Sequence, residues 1–261
     1  MTTNRERDMA IRLTRWNSRR SIFFILLVVV GATGIVYLSR AVAQAREAAR
    51  SSQCICNFKQ LGLALMNYES TYGCLPPAYV ADPQGKPLYS WRVLILPFMG
   101  MEATYDRIHL DEPWNGPNNR ELLSNRPSVF FCPSDPQALT KGYTSILAVV
   151  GPRTLFPGVG KSARLADVRD DPGSTVMLVE SDNAAIHWME PRDLRVEALS
   201  FRVGDRERPS ISSPHEAGAH VATANNVMAT LSANRSTADV KAMLLIDDGV
   251  DVELRPGAQQ D

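Results

Sequence analysis

From Arg19 to Tyr72 the chain contains no proline, and between Arg20 and Arg40 it contains no charged residue. Together these facts constrain the fold more than any other feature. The apolar run Ile22 to Leu38 (IFFILLVVVGATGIVYL) comes close to the roughly 20 residues needed to cross a hydrocarbon core about 30 Å thick. Helix-forming sequence continues past it through Ala41-Val-Ala-Gln-Ala-Arg-Glu-Ala-Ala-Arg50. Farther on, Phe58, Leu61, Leu65, Tyr68 and Tyr72 recur at steps of three and four, which predicts an apolar stripe in need of a partner surface. The expectation is one helix, in lipid over 21–39 and outside it from there to about 72.

Orientation follows from the arginines. Arg5, Arg7, Arg12, Arg15, Arg19 and Arg20 precede the run, against Arg40, Arg46 and Arg50 close behind it. The positive-inside rule then puts the N-terminus in the cytoplasm and everything after Ser39 outside. Residues 1–20 read as a disordered cytoplasmic stub, 21–39 as a transmembrane segment, and 40–261 as an extracytoplasmic domain. The expected partner of Ile22 to Leu38 is the lipid bilayer. Two other readings of the run are a secretory signal cut at the A-x-A sequence Ala41-Val42-Ala43 and a buried core helix.

The 28 basic and 28 acidic residues cancel, so no global field draws nucleic acid, and none is expected as a partner. The cysteines are Cys54, Cys56, Cys74 and Cys132, and outside the cytoplasm disulfides persist. Cys54 and Cys56, two apart on a helix, point in different directions. A bridge from Cys54 to Cys132 or to Cys74 is the candidate, with the pairing open. C-x-C followed by two distant cysteines lacks zinc-ribbon spacing, and no metal site is predicted.

Along the chain, Gly73 should close the helix in a left-handed conformation, and Pro76-Pro77 forbid a restart. Asp82-Pro-Gln-Gly85 reads as a turn. Trp91, Leu94, Ile95 and Phe98 fall at helical spacing, interrupted by Pro97, and short helices are expected over 101–108 and 119–124. Val129 to Phe131 reads as a brief strand. The signal then turns to β over 143–150, 175–180, 220–224 and 227–231, with Asn225-Asn226 as a two-residue hairpin loop. A last helix is expected near 238–246. Strands after a long helix, without regular alternation, predict an α+β domain with an antiparallel sheet.

Several stretches carry a resemblance in the same order: Ala41 to Cys54, Asn57 to Tyr68, Thr71-Tyr-Gly-Cys-Leu-Pro-Pro77, Ser90-Trp-Arg-Val-Leu-Ile-Leu-Pro-Phe98, Asp111-Glu-Pro-Trp114, Phe131-Cys-Pro-Ser-Asp135 and Ser213-Pro-His-Glu-Ala-Gly-Ala-His220. The chain resembles the bacterial family called domain of unknown function 1559, whose members usually begin with a prepilin-type signal. The resemblance implies a pilin-like fold, a long N-terminal helix packed by its outer half on an antiparallel sheet; the family is also loosely described as solute-binding. This chain departs from the family signal, with Ser21 in place of the cleavage-point glycine and Leu26 in place of the glutamate. In a pilin that glutamate pairs within the membrane with a neighbouring subunit, since an unpaired carboxylate in lipid is costly. Its loss weakens the case for assembly, and a simple single-pass anchor is expected.

No nucleophile elbow, P-loop or dinucleotide fingerprint is present, and no catalytic residue or cofactor is predicted. His187, His215 and His220, with Glu190, Glu216, Asp182 and Asp193, match no metal or acid-base motif. His215 and His220, on a turn and a strand, are not expected to converge; His215 reads as an imidazole that anchors the turn before the last hairpin. The serines at 210, 212 and 213 next to His215 would make a hydrolase only through geometry that spacing does not imply. The stretch His187 to Asp193 reads as an exposed loop. Trp188 and Arg192, with Trp114, form the candidate surface for a small solute or another envelope protein. The favoured expectation is a membrane-anchored, pseudopilin-like envelope protein with a structural or interaction role and no enzymatic activity. The alternative is an extracytoplasmic solute- or glycan-binding module.

Overall fold

A computed structural model describes residues 4–158 and 160–254. The chain divides into two compact units, Met1–Ala49 and Arg50–Asp261. Helix α1 (Asn4–Tyr72) runs from the first into the second. It is followed by β1 (Tyr79–Ala81), β2 (Pro87–Ser90), α2 (Trp91–Leu94), α3 (Glu102–Tyr105), α4 (Asn119–Leu122) and α5 (Pro136–Lys141). Then come β3 (Tyr143–Thr144), β4 (Ile146–Leu147), β5 (Val149–Val150), β6 (Val176–Glu180), β7 (Ile186–His187), β8 (Leu194–Arg195), β9 (Ala219–Thr223), β10 (Met228–Leu231) and α6 (Thr237–Met243). The predicted α+β class is the observed one.

In the first unit α1 exposes its apolar side chains; Phe24 and Val30 are each 66% exposed, and every residue from Leu26 to Leu38 is exposed. Two hydroxyls here bond within the helix, Thr33 Oγ1 donating to the Val29 carbonyl (2.7 Å) and Ser39 Oγ to that of Val36 (2.9 Å). Such back-bonding lets a helix carry Thr and Ser where no water is present. The helix begins at Asn4, which corrects the expectation of a disordered stub. Residues 4–20 contain neither Pro nor Gly, so nothing in them breaks a helix already nucleated by the apolar run.

In the second unit α1 becomes one-sided. Cys54, Phe58, Leu61 and Leu65 are fully buried while Leu63 is 55% exposed. The stripe fades at its end, with Tyr68 half-buried and Tyr72 exposed, the latter packing edge-on to Phe98. Gly73 (φ 74°) closes the helix, donating its N–H to the Glu69 carbonyl at 2.7 Å, the expected left-handed cap.

The stripe rests on a four-stranded antiparallel sheet in the order β10-β9-β6-β4. Its register decides which residues meet the helix. Leu147 pairs with Val179, Val179 with Val221, and Val221 with Ala229, and these four belong to the core on the far face, shared with Val240 and Met243 of α6. One residue along, side chains alternate to the opposite face. There Ile146 pairs with Glu180, His220 lies opposite Glu180 by the same register, and Thr230 pairs with His220. A polar row therefore crosses the helix-facing side of the sheet. The next row, Leu178, Ala222 and Met228, is apolar and shares a core with Phe58, Leu61 and Leu65.

Several local expectations change. Val129 to Phe131 is not a strand; Ser128–Phe130 is a 3-10 turn, pinned to α1 by Asn57, whose Nδ2 donates to the carbonyls of Ser128 (3.2 Å) and Phe131 (3.0 Å). The stretch 143–150 is broken into β3, β4 and β5, each in a different sheet. Residues 79–90 form a hairpin around the expected turn at Asp82 to Gly85. The last hairpin uses a three-residue loop, 224–226, with only Asn226 at positive φ (60°), so a left-handed residue closes a longer turn instead of two in succession. Gly218 (φ 121°) precedes β9 where an added Cβ would lie 2.2 Å from the Leu231 carbonyl oxygen. A glycine is required there for the strands to pair.

Candidate functional site

The polar row of the sheet meets α1 where the stripe is extended toward the N-terminus by Cys54 and Ser51, one and two helical steps before Phe58. His220 sits between two hydroxyls, its Nδ1 3.1 Å from Thr230 Oγ1 and its Nε2 3.1 Å from Ser51 Oγ. The Cys54 thiol points at Glu180 Oε1 (3.7 Å), and Glu180 Oε2 accepts the His220 backbone N–H at 3.0 Å. Two loops complete the group. Cys132 follows the 3-10 turn that Asn57 holds, and its N–H donates to Ser145 Oγ (3.2 Å), which donates in turn to Asp135 (2.7 Å). His215 comes from the loop before β9, its N–H on Ser213 Oγ (3.1 Å), and its Nε2 lies 3.1 Å from Cys132 Sγ. The rings of His215 and His220 are 5.1 Å apart.

Ligand atoms of Cys54, Glu180, His215 and His220 all lie within 4.8 Å of one another. Cys54, Cys132 and Glu180 are fully buried, His220 is 3% and His215 6% exposed. Enclosure sets the protonation states. The hydrogen bond from Cys54 holds the Cys132 thiol down, to about 5, with His215 acting in the same direction. The same bond, together with burial, pushes Cys54 well up. Burial raises the Glu180 carboxyl and lowers the His220 imidazole to about 4. Cys132 and His215 have the contact of a cysteine-histidine dyad, yet a nucleophile with no exposed surface is closed to any sizeable substrate.

These placements add to the sequence reading at several points. His215 and His220 do converge, and the His215 imidazole meets the Cys132 thiol. Neither spacing nor motif could show this, since five residues from five chain segments are joined by strand register and by the paths of two loops. One signal was present: Cys54 lies four residues before Phe58, on the helical stripe. All four cysteines are free thiols. Cys74 is excluded as a partner of Cys54, because eighteen helical residues to Tyr72 separate them by roughly 27 Å; the Cys74 thiol donates to the Tyr72 carbonyl instead.

The remaining candidates lie apart from this group. Trp188 is fully buried, stacked on Phe130 at 5.8 Å, and Met189 and Asp193 are buried with it, so 187–193 is not an exposed loop. Arg192 is paired with Glu190 at 2.7 Å and donates to the Ala185 carbonyl. Trp114 is half-buried, stacked on His187 at 5.4 Å. Asp182 pairs with Arg206 and accepts from Ser212 Oγ, both at 2.6 Å. Of the three tentative surface residues Trp188 is internal, whereas Trp114 and Arg192 both adjoin the His187–Glu190 turn.

Burial also lowers the His187 imidazole to about 4, assisted by Arg126 and opposed by Glu190. The unfolded chain binds a proton near the ordinary histidine value of about 6.5, so between that pH and about 4 it takes up a proton the fold refuses. Stability then falls as pH falls through this window. His187→Gln is expected to flatten the decline of thermal midpoint from pH 6.5 to 4; an unchanged slope would contradict the assignment.

An N-terminal helix long and apolar enough to cross a membrane, followed by a one-sided stretch buried on an antiparallel sheet, defines an α+β protein of pilin-like architecture. Within that class, the chain belongs to the family described as protein of unknown function (DUF1559), whose model matches residues 43–175. The matched region carries Cys54 and Cys132 and ends before Glu180, His215 and His220. No curated protein and no solved structure matches the chain. Family membership together with the apolar helix suggests a membrane-anchored envelope protein.

Proposed function

We propose that the chain is a single-pass protein of the cell envelope, its N-terminus cytoplasmic and residues 40–261 outside, with a pseudopilin-like structural or interaction role and no catalysis. The observation that carries this is the change of character along α1: all-round apolar exposure in the first unit, one-sided burial in the second. A helix apolar on every side belongs in lipid, whereas an apolar stripe belongs on a protein core. The arginine excess before the span supports the orientation. Sealing of Cys132 and His215 from solvent supports the absence of catalysis. The solute-binding alternative is weaker because Trp188 is internal and Arg192 already paired.

The test is protease protection in spheroplasts with tags at either end, combined with N-terminal sequencing of the membrane fraction. Digestion of the C-terminal domain from outside, with a native end at Met1 or Thr2, is expected. An end at Ser21 or Ile22 would mean prepilin processing, and one at Gln44 in the soluble fraction would mean secretion; a domain protected from external protease would overturn the orientation.

A further inference from the structure

We infer that Cys54, Cys132, His215 and His220 bind a tetrahedral transition-metal ion, zinc by the chemistry of the donors, which ties α1 to the sheet and to two loops. The inference goes beyond the envelope role and holds on either side of a membrane.

Geometry comes first. In a tetrahedral zinc site with ligand bonds of about 2.0–2.3 Å, neighbouring donor atoms are roughly 3.3–3.8 Å apart. Here Cys132 Sγ is 3.1 Å from His215 Nε2, while Cys54, Glu180, His215 and His220 offer atoms within 4.8 Å of one another. Three of the four donors, Cys54, His215 and His220, thus already lie close together, and Cys132 adjoins them at His215. Two thiolates and two imidazoles select zinc and similar ions over magnesium or calcium, which take oxygen ligands.

The groups behind the donors fit the same role. A metal-bound imidazole normally donates its other ring N–H to a fixed acceptor, which sets the tautomer. Thr230 Oγ1 stands at His220 Nδ1, so Nε2 is the ring atom that would take the ion, in exchange for its present contact with Ser51 Oγ at 3.1 Å. Asn57 holds the 3-10 turn that presents Cys132, and Ser145 and Asp135 hold its backbone. Charge agrees as well, since a divalent ion with two thiolates and two neutral imidazoles sums to zero, the state that enclosure least opposes. Four protein ligands and no open position make this a structural site. Glu180 lies beside these donors, its Oε2 held by the His220 N–H and its Oε1 facing the Cys54 sulfur.

The full chain, purified in detergent from zinc-supplemented medium, should carry about one zinc per chain by elemental analysis. Exchange for cobalt should give the visible bands of tetrahedral cobalt with thiolate charge transfer. Cys132→Ser and His215→Gln should each cut the bound metal at least about tenfold, in line with loss of a ligand. Absence of stoichiometric metal together with absence of the cobalt bands would overturn the inference. So would a Cys54–Cys132 disulfide in non-reducing peptide maps of the membrane-derived protein, or full metal retention by the Cys132→Ser chain. Should the variants fail to fold, the cobalt spectrum of the unaltered chain decides.

Discussion

Asp193→Ala is expected to cost about 3–5 kcal/mol of folding free energy, the usual penalty for breaking a buried ion pair from one side. Arg92 and Asp193 have side chains 0% and 1% exposed, joined by Arg92 Nη2 to Asp193 Oδ1 at 2.5 Å. The carboxylate also accepts from Trp91 Nε1 (3.2 Å) and from the Ala148 N–H (2.8 Å). Alanine would therefore strand a buried guanidinium and two further donors at once. Arg92 keeps only its bonds to the Ile146 carbonyl, at 3.2 and 3.3 Å, which satisfy hydrogen bonding without neutralising charge. The double variant Arg92→Met/Asp193→Leu should recover most of the loss, because apolar replacements of a buried pair remove the desolvation penalty along with the attraction. Denaturant unfolding of the full chain in detergent reads both. A loss below about 1 kcal/mol for Asp193→Ala, the level of an exposed pair, would show that water reaches this site.

Phe58→Ala should cost about 3–5 kcal/mol, from lost transfer free energy and the cavity left behind. Phe58 has no exposed surface and stands in the core with Leu178, Ala222 and Met228. Leu63→Ala, on the same helix but 55% exposed, should stay within about 0.5 kcal/mol of the unaltered chain. The contrast matters more than either value, because helix propensity changes little in both. Equal effects would mean that α1 does not dock by the face assigned to it. Thermal unfolding and the susceptibility of 50–72 to limited proteolysis should change together, in Phe58→Ala alone.

The Phe58 prediction bears on how the long helix is joined to its domain. The apolar row of the sheet takes Phe58, Leu61 and Leu65, and close approach is allowed at Gly62, where an added Cβ would strike the Asn226 side chain at 2.0 Å. The polar row beside it takes Ser51 and Cys54. Hydrophobic burial thus fixes the helix over most of the contact, and directional bonds fix the part nearest the apolar segment.

Local pattern was enough to determine the long helix, its apolar beginning, its cap at Gly73, the stripe from Phe58 to Leu65 and the α+β class. Each depends on periodicity or on the conformational preference of a single residue, and both are properties of contiguous chain. Only the tertiary structure decided that Cys54, Cys132, Glu180, His215 and His220 share one enclosed space, that Trp188 is core, and that Arg92 meets Asp193. Those contacts depend on strand register across β4, β6, β9 and β10 and on the path of two loops. A shift of one residue in any strand would turn its side chains to the other face, and register is settled by the packing of the whole sheet, not by the residues that end up together.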